Sequence, residues 1–287
     1  MRPKDGLSTR SMKDFLECTA LITGASAGIG REIARQLAPL AGTLVLVARR
    51  MDRLETLRKE LLAINPELRV VCRGVDLSKR EEVAGLCDYL RDESLDLDFL
   101  INNAGFGDSG PFETSEWEKI ERMLEVNVVA LTYLCHRLIP LLRRHRPGAI
   151  LNVSSVASLL PLPNLGVYAA SKAYVSSFSE ALRAELRGTG ISVTHLCPGP
   201  VDTEFQTVAG REGQPERKHA PDWVKVTVEE VARVALRAVS RDRARVVPGF
   251  WMMMAPLFFA VIPLFVLRIF FEAVSRPETG RRVARTA

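Results

Sequence analysis

Cysteine and histidine are scarce in this 287-residue sequence, and neither type occurs in a disulfide or metal-binding pattern. The five cysteines are odd in number and include no C-x-x-C pair, and the four histidines include no H-E-x-x-H sequence. His195 lies in an apolar run, where a core or edge histidine is expected. These absences argue against a disulfide framework and a zinc site, and they favour a reducing compartment. We therefore expect no metal.

The sequence also lacks an apolar run near its first residues and a basic stripe in its interior. We therefore expect no secretory signal, and we expect the protein in the cytoplasm. The net charge of +5 comes mostly from the two ends of the chain, so nucleic acid is not an expected partner. Basic ends are usually solvated, although they can support contact with an anionic membrane surface.

Apolar runs of strand length alternate with helical segments along most of the chain. Within each run apolar and polar residues do not alternate, which is typical of parallel strands covered on both faces. The seven predicted strands lie within 19–23, 43–48, 69–77, 97–105, 149–155, 191–199 and 244–248. The pattern predicts one doubly wound α/β domain over 17–248, after a polar extension at 1–16 and before an apolar helical segment with a basic tail at 249–287.

The segments between the strands also carry local signals. A long helix is predicted over about 115–145, and another from Val167 to Arg187. The sequence T-V-E-E at 227–230 is a capping box that begins a later helix. Residues 199–226 are polar, contain Gly and Pro and show no periodicity, so we expect a mobile loop there.

The sequence LITGASAGIG at 21–30 predicts a strand, a tight turn and the start of a helix. It contains G-x-S-x-G, in which Ser26 would be a hydrolase nucleophile. Only one strand precedes it, however, whereas such a hydrolase needs earlier strands and an oxyanion-hole loop. A turn after the first strand favours the pyrophosphate of a dinucleotide at a helix N-terminus. Gly24 then allows the turn, Gly28 lets the backbone approach the phosphates, and Gly30 permits close packing of helix on strand.

The residues that end the second strand, Ala48-Arg49-Arg50, indicate which dinucleotide is bound. An acidic residue at this place would bind the ribose 2′-hydroxyl of NAD, whereas a guanidinium binds a 2′-phosphate. Arg49 therefore favours NADP(H). The alternative, which applies more strongly to Arg50, is that the two arginines simply begin a solvated helix.

Tyr168 and Lys172 in Y-A-A-S-K are four residues apart in a predicted helix, so their side chains share one face. An ammonium group beside a phenol favours the phenolate, and we expect it to lower the pKa of Tyr168 from its reference value of about 10. The pair would supply the acid that protonates a carbonyl oxygen as hydride reaches the carbon. Taken alone, the pattern is also common as surface decoration of helices.

The chain resembles the classical short-chain dehydrogenase/reductase family in the order and spacing of its motifs over about 17–248. The motifs are T-G-A-S-A-G-I-G at 23–30, N-N-A-G at 102–105, Asn127, N-V-S-S at 152–155, Y-A-A-S-K at 168–172 and P-G-P-V-D-T at 198–203. The resemblance implies a Rossmann-type seven-stranded parallel sheet and a catalytic tetrad of Asn127, Ser155, Tyr168 and Lys172. In that tetrad Ser155 would bind the substrate carbonyl, Tyr168 would be the acid, and Asn127 would hold a water that relays protons.

The resemblance also implies an NADP(H) site. Ser26 and Arg49 would meet the 2′-phosphate end, and Asp76 and Leu77 the adenine. The nicotinamide would meet Pro198, Gly199, Val201 and Thr203. The full implied set is Gly24, Ser26, Gly28, Ile29, Gly30, Arg49, Asp76, Leu77, Asn103, Ala104, Gly105, Tyr168, Lys172, Pro198, Gly199, Val201 and Thr203. The family's usual tetramer is built partly at the C-terminal end, where this chain departs from the family, so we expect a homo-oligomer and favour a dimer.

These features predict an NADPH-dependent carbonyl reductase or alcohol dehydrogenase. The segment 156–167 is apolar and uncharged, which favours a lipophilic ketone such as a 3-ketoacyl chain or a steroid-like compound. Its leucines would alternatively pack against the protein's own loops. A different function, an NADP-binding sensor or scaffold without turnover, has no use for the intact tetrad.

The segment 249–271 is a separate feature. Residues 249–267 carry no charge, and as a straight helix they would reach about 28 Å, just short of a hydrocarbon core of about 30 Å. Pro256 and Pro263 would kink such a helix. Three interpretations stay open: a cover over the substrate cleft or a dimer interface, a peripheral anchor on a membrane surface, and a true span.

Overall fold

The predicted strands are all present, and they form one parallel sheet. The computed structural model describes residues 15–93, 95–144, 147–211, 225–249 and 252. Within these residues the strands are β1 Thr19–Thr23, β2 Thr43–Ala48, β3 Arg69–Gly74, β4 Phe99–Asn102, β5 Ala149–Val153, β6 Ser192–Leu196 and β7 Arg245–Val246. Each strand lies inside the range that its apolar run predicts, and β4, β5 and β6 are buried along their whole length.

The order of the strands is β3-β2-β1-β4-β5-β6-β7, and every neighbouring pair is parallel. The chain winds from β1 to β3 in one direction and then from β4 to β7 in the other. The predicted doubly wound, Rossmann-type sheet is therefore confirmed. The direction reverses between β1 and β4, and ligands of such sheets bind outside the carboxyl ends of the strands at this switch point.

Helices cover both faces of the sheet. Their bounds are α1 Gly28–Leu37, α2 Met51–Ile64, α3 Arg80–Asp92, α4 Trp117–Leu124, α5 Leu131–Leu142, α6 Gly166–Glu185, α7 Phe205–Ala209 and α8 Val228–Ser240. The buried residues of α1, α2 and α8 pack in one apolar core, and those of α3, α5 and α6 pack in another on the opposite face. Thr227 caps α8 by accepting the Glu230 backbone N–H at 3.2 Å.

The long helix predicted over about 115–145 is interrupted by a π-helical segment, Glu125–Ala130, between α4 and α5. The stretch Trp117–Leu142 is long and apolar enough, by length and composition, to cross a membrane. Its residues from Leu131 to Leu142 nevertheless pack inside the core shared with α3 and α6. Their packing identifies α5 as a core helix of the domain.

Phe15 belongs to the core, although it falls within the polar extension predicted for residues 1–16. Its side chain is 1% exposed, and its ring lies 4.9 Å from the ring of Phe99 in β4. The Glu17 N–H then donates to the Leu40 carbonyl at 2.8 Å, which ties the entry of β1 to the turn after α1. Residues 1–14 lie outside the part that the structure describes.

The loop after β6 is not wholly irregular, so the prediction for 199–226 is wrong at Phe205–Ala209, where α7 forms. The Thr203 hydroxyl accepts the Phe205 N–H at 3.3 Å at the start of this helix, and Ala209 at its end is buried. Burial of Ala209 is a tertiary effect that the local composition does not reveal. Residues 212–224 of the same loop lie outside the described residues.

Candidate active site

The glycine-rich turn between β1 and α1 has the backbone that its sequence predicts. Gly24 and Gly28 have φ values of +66° and +54°, in the left-handed region that favours glycine. Ala27 precedes α1 and gives no side-chain cap to the first amides of the helix, while Ile29 packs on the core. The turn therefore presents backbone N–H groups and the positive end of α1, the groups that bind a phosphate.

Asn103 joins this turn to the end of β4. Its side-chain amide donates to the carbonyls of Thr23 at 2.9 Å and Gly24 at 3.3 Å. The Thr23 hydroxyl accepts the backbone N–H groups of Asn103 and Ala104, both at 3.0 Å. A Cβ on Gly30 would overlap Asn103 Nδ2 and lie 2.7 Å from the Gly24 carbonyl oxygen. Gly30 is therefore needed for the close fit of α1 against the ends of β1 and β4.

Arg50 is the arginine that reaches the glycine-rich turn. Its Nη2 atom lies 3.4 Å from the Ser26 hydroxyl and 2.9 Å from the Glu204 carboxylate. Arg53, one turn further along α2, pairs with the same carboxylate. The structure thus brings Ser26 and Arg50 together, and it adds a carboxylate that the sequence did not point to.

Asp76 and Leu77 follow β3 at the side of the crevice predicted to hold adenine. Burial alone would raise the pKa of Asp76, but hydrogen bonds from the Ser78 N–H at 3.0 Å and hydroxyl at 2.8 Å outweigh it. The nearby charge of Arg49 acts in the same direction, so the pKa of Asp76 lies below its usual value. Leu77 is buried in the core on the α3 face.

Ser155, Tyr168 and Lys172 meet at the carboxyl end of β5. Ser155 lies close enough to Tyr168 to favour the ionised form of the phenol, and Lys172 Nζ lies 5.9 Å from the centroid of the Tyr168 ring. Lys172 Nζ also donates to the Val153 carbonyl at 2.9 Å, which holds the amine in place. All three side chains are buried, and Tyr168 and Lys172 share one face of α6.

The structure corrects the expected pKa of Tyr168. Burial raises this pKa to about 12, although the nearby Ser155 hydroxyl acts in the opposite direction. Burial also lowers the pKa of Lys172 to about 8. Desolvation penalises the charged form of each group. The prediction of a lowered Tyr168 pKa is wrong because the spacing of two residues on a helix does not reveal how deeply they are buried.

Asn127 lies in the π-helical segment and is completely buried. Its amide oxygen accepts the Phe106 N–H at 3.1 Å, and its amide nitrogen donates to the Phe106 carbonyl at 3.0 Å. The same nitrogen donates to the Ser171 hydroxyl at 3.1 Å. Ser171 in turn donates to the Tyr168 carbonyl at 2.7 Å, so Asn127 is tied to α6.

Gly105 lies between Asn127 and Lys172. A Cβ at this position would be 3.0 Å from both Asn127 Oδ1 and Lys172 Nζ. Because Gly105 has no side chain, the Asn127 amide oxygen and the Lys172 amine can both approach the space beside its Cα. The structure in this way brings together all four residues of the predicted tetrad.

The loop after β6 closes the crevice on the side predicted to hold nicotinamide. The Pro198 carbonyl accepts the Val156 N–H at 3.0 Å, which ties this loop to the segment after β5. Val201 packs on the core. A Cβ on Gly28 would lie 3.2 Å from the Thr203 methyl group, so Thr203 faces the glycine-rich turn.

Met252, in the apolar segment after β7, contacts the same loop. A Cβ on Gly199 would lie 2.8 Å from Met252 Cγ, so glycine is needed for this approach. Apart from Gly249 and Met252, the segment 249–271 lies outside the described residues. Its three interpretations therefore stay predictions.

Apolar side chains pack around the ring of Tyr168. The Phe205 ring of α7 lies 5.1 Å away, and Leu162 belongs to the same cluster. A cavity of about 220 Å³ adjoins this cluster, between residues 108–115 and 162–167. Leu162 lines the cavity and also packs on this apolar cluster. The segment 156–167 can therefore still be interpreted either as the lining of a lipophilic substrate site or as packing against the protein's own loops.

An ion cluster centred on the buried Asp108 carboxylate fixes the end of α7 beside this cavity. Arg211 donates two hydrogen bonds to Asp108, at 3.0 and 2.5 Å, and Lys119 approaches the same carboxylate at 3.2 Å. Arg211 also donates to the Pro111 carbonyl and the Ser115 hydroxyl. Burial would raise the pKa of Asp108, but the hydrogen bonds from the two cations keep it below its usual value.

Reasoning from the sequence missed several residues that support the site: Ser171, Phe205, Asp108, Glu204 and Arg211. Their partners are distant in the sequence, so no local pattern marks them. The one available signal was the position of Ser171 inside Y-A-A-S-K, directly before the lysine.

The crevice is lined by backbone amides, hydroxyls, arginines and a buried lysine. Such groups suit the phosphates and ribose hydroxyls of a dinucleotide. Among the residues that the structure describes, no group of three or more His, Cys, Asp or Glu side chains is arranged to hold a metal ion. The donor set and the glycine-rich cradle therefore fit a nicotinamide dinucleotide.

Comparison with known proteins identifies the family to which the chain belongs. A model of the short chain dehydrogenase family matches residues 18–213. A sulfoacetaldehyde reductase of Chromohalobacter salexigens is 38% identical over 192 residues, which cover 65% of this chain and 74% of that protein. An 11-beta-hydroxysteroid dehydrogenase of Pinus massoniana is 33% identical over 240 residues, which cover 80% of this chain and 67% of that protein.

Solved structures with a similar fold contain nicotinamide cofactors. A short-chain dehydrogenase from Sphingobium yanoikuyae in complex with NADPH has a TM-score of 0.72 at 31% identity, covering 86% of this chain and 96% of that one. A short-chain dehydrogenase/reductase from Burkholderia phymatum in complex with NAD has a TM-score of 0.74 at 26% identity, covering 89% and 95%. The chain therefore belongs to the short-chain dehydrogenase/reductase family of nicotinamide-dependent oxidoreductases.

Proposed function

We propose that this protein is an NADPH-dependent oxidoreductase that reduces a ketone, or oxidises the matching secondary alcohol, of a lipophilic substrate. The observation that carries the proposal is the convergence of Ser155, Tyr168 and Lys172 at the carboxyl end of β5. Fold alone would not assign this activity, because one fold supports many functions. A buried phenol with a hydroxyl and an amine beside it supports acid catalysis at a carbonyl oxygen.

The cofactor would be held by residues along the whole crevice, and when bound it supplies or accepts the hydride. The amides of the glycine-rich turn would hold its phosphates. Asp76 and Asn103 would flank its adenosine half, and Lys172 and Thr203 would hold its nicotinamide half. Each of these residues has the polar or backbone group that its proposed contact requires.

Tyr168 is the proposed proton donor in the reduction. With a pKa of about 12 its phenol is protonated near neutral pH, which is the form that donates to a carbonyl oxygen. Ser155 would donate a hydrogen bond to the oxygen on which negative charge develops. The ammonium of Lys172 would offset the charge left on the phenolate oxygen.

Asn127 is proposed to hold a water that relays protons between Lys172 and solvent. Its amide is fixed by Phe106 and Ser171, so its orientation is set before substrate arrives. Gly105 leaves the space between Asn127 and Lys172 free of a side chain. We assign Ser171 a positioning role that acts through Asn127.

The choice of NADP(H) rests on the arginines after β2. Arg49 and Arg50 take the place of the acidic residue that would bind the 2′-hydroxyl of NAD. Similar structures contain either NADPH or NAD, so the family does not decide the choice. Titration of the protein with both cofactors tests it, and tighter binding of NADH than of NADPH would show it to be wrong.

The proposed lipophilic substrate rests on the apolar surroundings of Tyr168. Phe205 and Leu162 pack around the phenol, and Leu162, Pro163 and Val167 line the adjoining cavity. The relative named as a steroid dehydrogenase is consistent with this chemistry, whereas the relative named as a sulfoacetaldehyde reductase is named for a small anionic aldehyde. The cavity is also lined by Asp108, Ser115 and Asn164, so the preference for the former class rests on the apolar cluster around the phenol.

The proposed function is tested by measuring NADPH oxidation by purified protein with acyl, steroid, aromatic and small hydrophilic ketones. We expect turnover of a lipophilic class with a kcat/KM well above that for sulfoacetaldehyde. Turnover confined to small hydrophilic carbonyls would contradict the substrate proposal. Tight NADPH binding without turnover of any ketone or alcohol would favour the sensor or scaffold function instead.

A further inference from the structure

Glu204 brings a carboxylate to the edge of the cofactor crevice. It follows Thr203, which faces Gly28 in the glycine-rich turn. Its two oxygens engage Arg50 at 2.9 Å and Arg53 at the start of α2, on the opposite side of the crevice. The ion pairs therefore connect the loop after β6 to the residues after β2.

The arginine that holds Glu204 is the one that also reaches the glycine-rich turn. Arg50 Nη2 is shared between the Glu204 carboxylate and the Ser26 hydroxyl at 3.4 Å. Ser26 is the residue of that turn proposed to meet the 2′-phosphate end of the cofactor. The Glu204 carboxylate thus binds the guanidinium next to the place where a phosphate is expected.

A carboxylate and a phosphate bind a guanidinium through the same planar N–H groups. An N–H group engaged by one of them is not available to the other, and Arg50 Nη2 is engaged by Glu204. A carboxylate that stays close to a phosphate also repels it. Glu204 is therefore placed to oppose a 2′-phosphate, while an unphosphorylated ribose would leave its ion pairs undisturbed.

We propose that Glu204, held also by Arg53, is an internal competitor of the cofactor's 2′-phosphate for Arg50, and that it limits the preference of the protein for NADPH over NADH. The proposal rests on the NADP(H)-binding function proposed above. The arginines supply the attraction for the phosphate, and Glu204 sets how much of that attraction is available. Binding of NADPH would free the loop after β6 from α2, whereas binding of NADH would leave it attached.

The same loop offers a matched control. Asp202, two residues before Glu204, pairs with Lys225 at 3.4 Å and is well exposed. Asp202→Asn removes one negative charge from the same loop without touching the arginines. Glu204→Gln removes the competing charge and keeps the size of the side chain, and Glu204→Ala removes the side chain itself.

The test is calorimetric titration of wild type and the three variants with NADPH, NADH, 2′,5′-ADP and 5′-ADP. We expect both Glu204 variants to bind NADPH and 2′,5′-ADP about two- to fivefold more tightly, the scale of an exposed ion pair. Their affinities for NADH and 5′-ADP should match wild type, and Asp202→Asn should match wild type for all four. This pattern would support the proposal.

Other patterns would overturn it. Equal shifts for NADPH and NADH, or weaker binding of both, would show that Glu204 acts as a clamp on any cofactor. An equal effect of Asp202→Asn would show a general charge effect. If wild type prefers NADPH and the Glu204 variants do not change that preference, this inference alone fails. If wild type prefers NADH, the NADP(H) proposal fails and this inference fails with it.

Discussion

At the scale of single residues, burial determines the protonation of the groups proposed to move protons. Tyr168 and Lys172 are 8% and 4% exposed. Burial raises the pKa of Tyr168 to about 12 and lowers that of Lys172 to about 8. Near neutral pH the pair is therefore a neutral phenol and an ammonium, the state required for reduction of a carbonyl.

The first prediction concerns the pH dependence of reduction. Below about pH 8 both groups are protonated, so kcat/KM for ketone reduction should be nearly constant. As pH rises through the lowered pKa of Lys172, about 8, the ammonium is lost and log kcat/KM should fall with a slope of one. The measurement is a profile from pH 6 to 10, with circular dichroism as a control for folding. A profile that stays flat to pH 10 would contradict the assignment.

The second prediction concerns two glycines in different surroundings. A Cβ on Gly30 would lie 2.7 Å from the Gly24 carbonyl, whereas a Cβ on Gly85 in α3 would meet nothing within 4 Å. Gly30→Ala should lower the free energy of unfolding by about 1–3 kcal/mol and weaken cofactor binding. Gly85→Ala should raise the free energy of unfolding by about 0.5–1 kcal/mol and leave cofactor binding unchanged.

Denaturant unfolding and NADPH titration measure the effects of both glycine substitutions. If Gly30→Ala and Gly85→Ala changed stability and cofactor binding equally, the proposed close packing of the glycine-rich turn at Gly30 would be contradicted. The sequence alone predicts that Gly30 packs helix on strand, but it does not show that Asn103 is one of the groups in contact.

At the scale of elements, the strands follow from composition because a buried parallel strand needs a continuous apolar run. The π-helical segment at Glu125–Ala130 does not follow in the same way. Its sequence, E-V-N-V-V-A, contains no helix-breaking residue, and Asn127 within it exchanges hydrogen bonds with Phe106 and donates one to Ser171. Those partners come from distant parts of the chain, so the local sequence predicts one uninterrupted helix.

The third prediction concerns the ion cluster that holds the end of α7. Asp108→Asn leaves Arg211 and Lys119 with no carboxylate at this point, and their side chains are only 12% and 16% exposed. Breaking a buried pair costs several kcal/mol, so α7 should open locally far more often. We expect amide exchange at Val208 and Gly210 to be about tenfold faster or more.

The kinetic consequence should be a raised KM for the ketone, because α7 contacts Tyr168 through Phe205. Glu55→Gln, which removes an exposed pair with Arg58 on α2, is the control and should alter neither exchange nor KM. Unchanged exchange in Asp108→Asn would show that the cluster does not hold α7.

At the scale of the whole molecule, the alternation of strands and helices was sufficient to predict the doubly wound sheet. It did not reveal which surfaces meet other molecules. The homodimer favoured from the sequence and the lipophilic small-molecule substrate stay predictions. The proposed peripheral membrane contact through 249–271 falls almost wholly outside the described residues, and vesicle sedimentation of the full chain tests it.

The fourth prediction concerns the dimer surface. Val129 and Tyr174 are 44% and 41% exposed, and Tyr174 is linked to Thr132 by a hydrogen bond of 3.0 Å, so they share one apolar face. We propose this face as the dimer surface, so Val129→Asp should shift the protein towards monomer by placing a charge in it. Ile64→Asp, at an exposed apolar position on α2, is the control. Light scattering after size exclusion measures the mass, and an unchanged mass in Val129→Asp would exclude this face.

The most direct test of the central claim compares Tyr168→Phe with wild type for both kcat of ketone reduction and Kd of NADPH. The substitution removes the proposed proton donor and keeps the ring that packs on Phe205. We predict an almost unchanged Kd and a kcat lowered by at least about a hundredfold, the usual range for loss of a general acid. Tyr174→Phe, an exposed tyrosine on the same helix, should retain wild-type kcat. A kcat near wild type in Tyr168→Phe would contradict the claim that Tyr168 donates the proton.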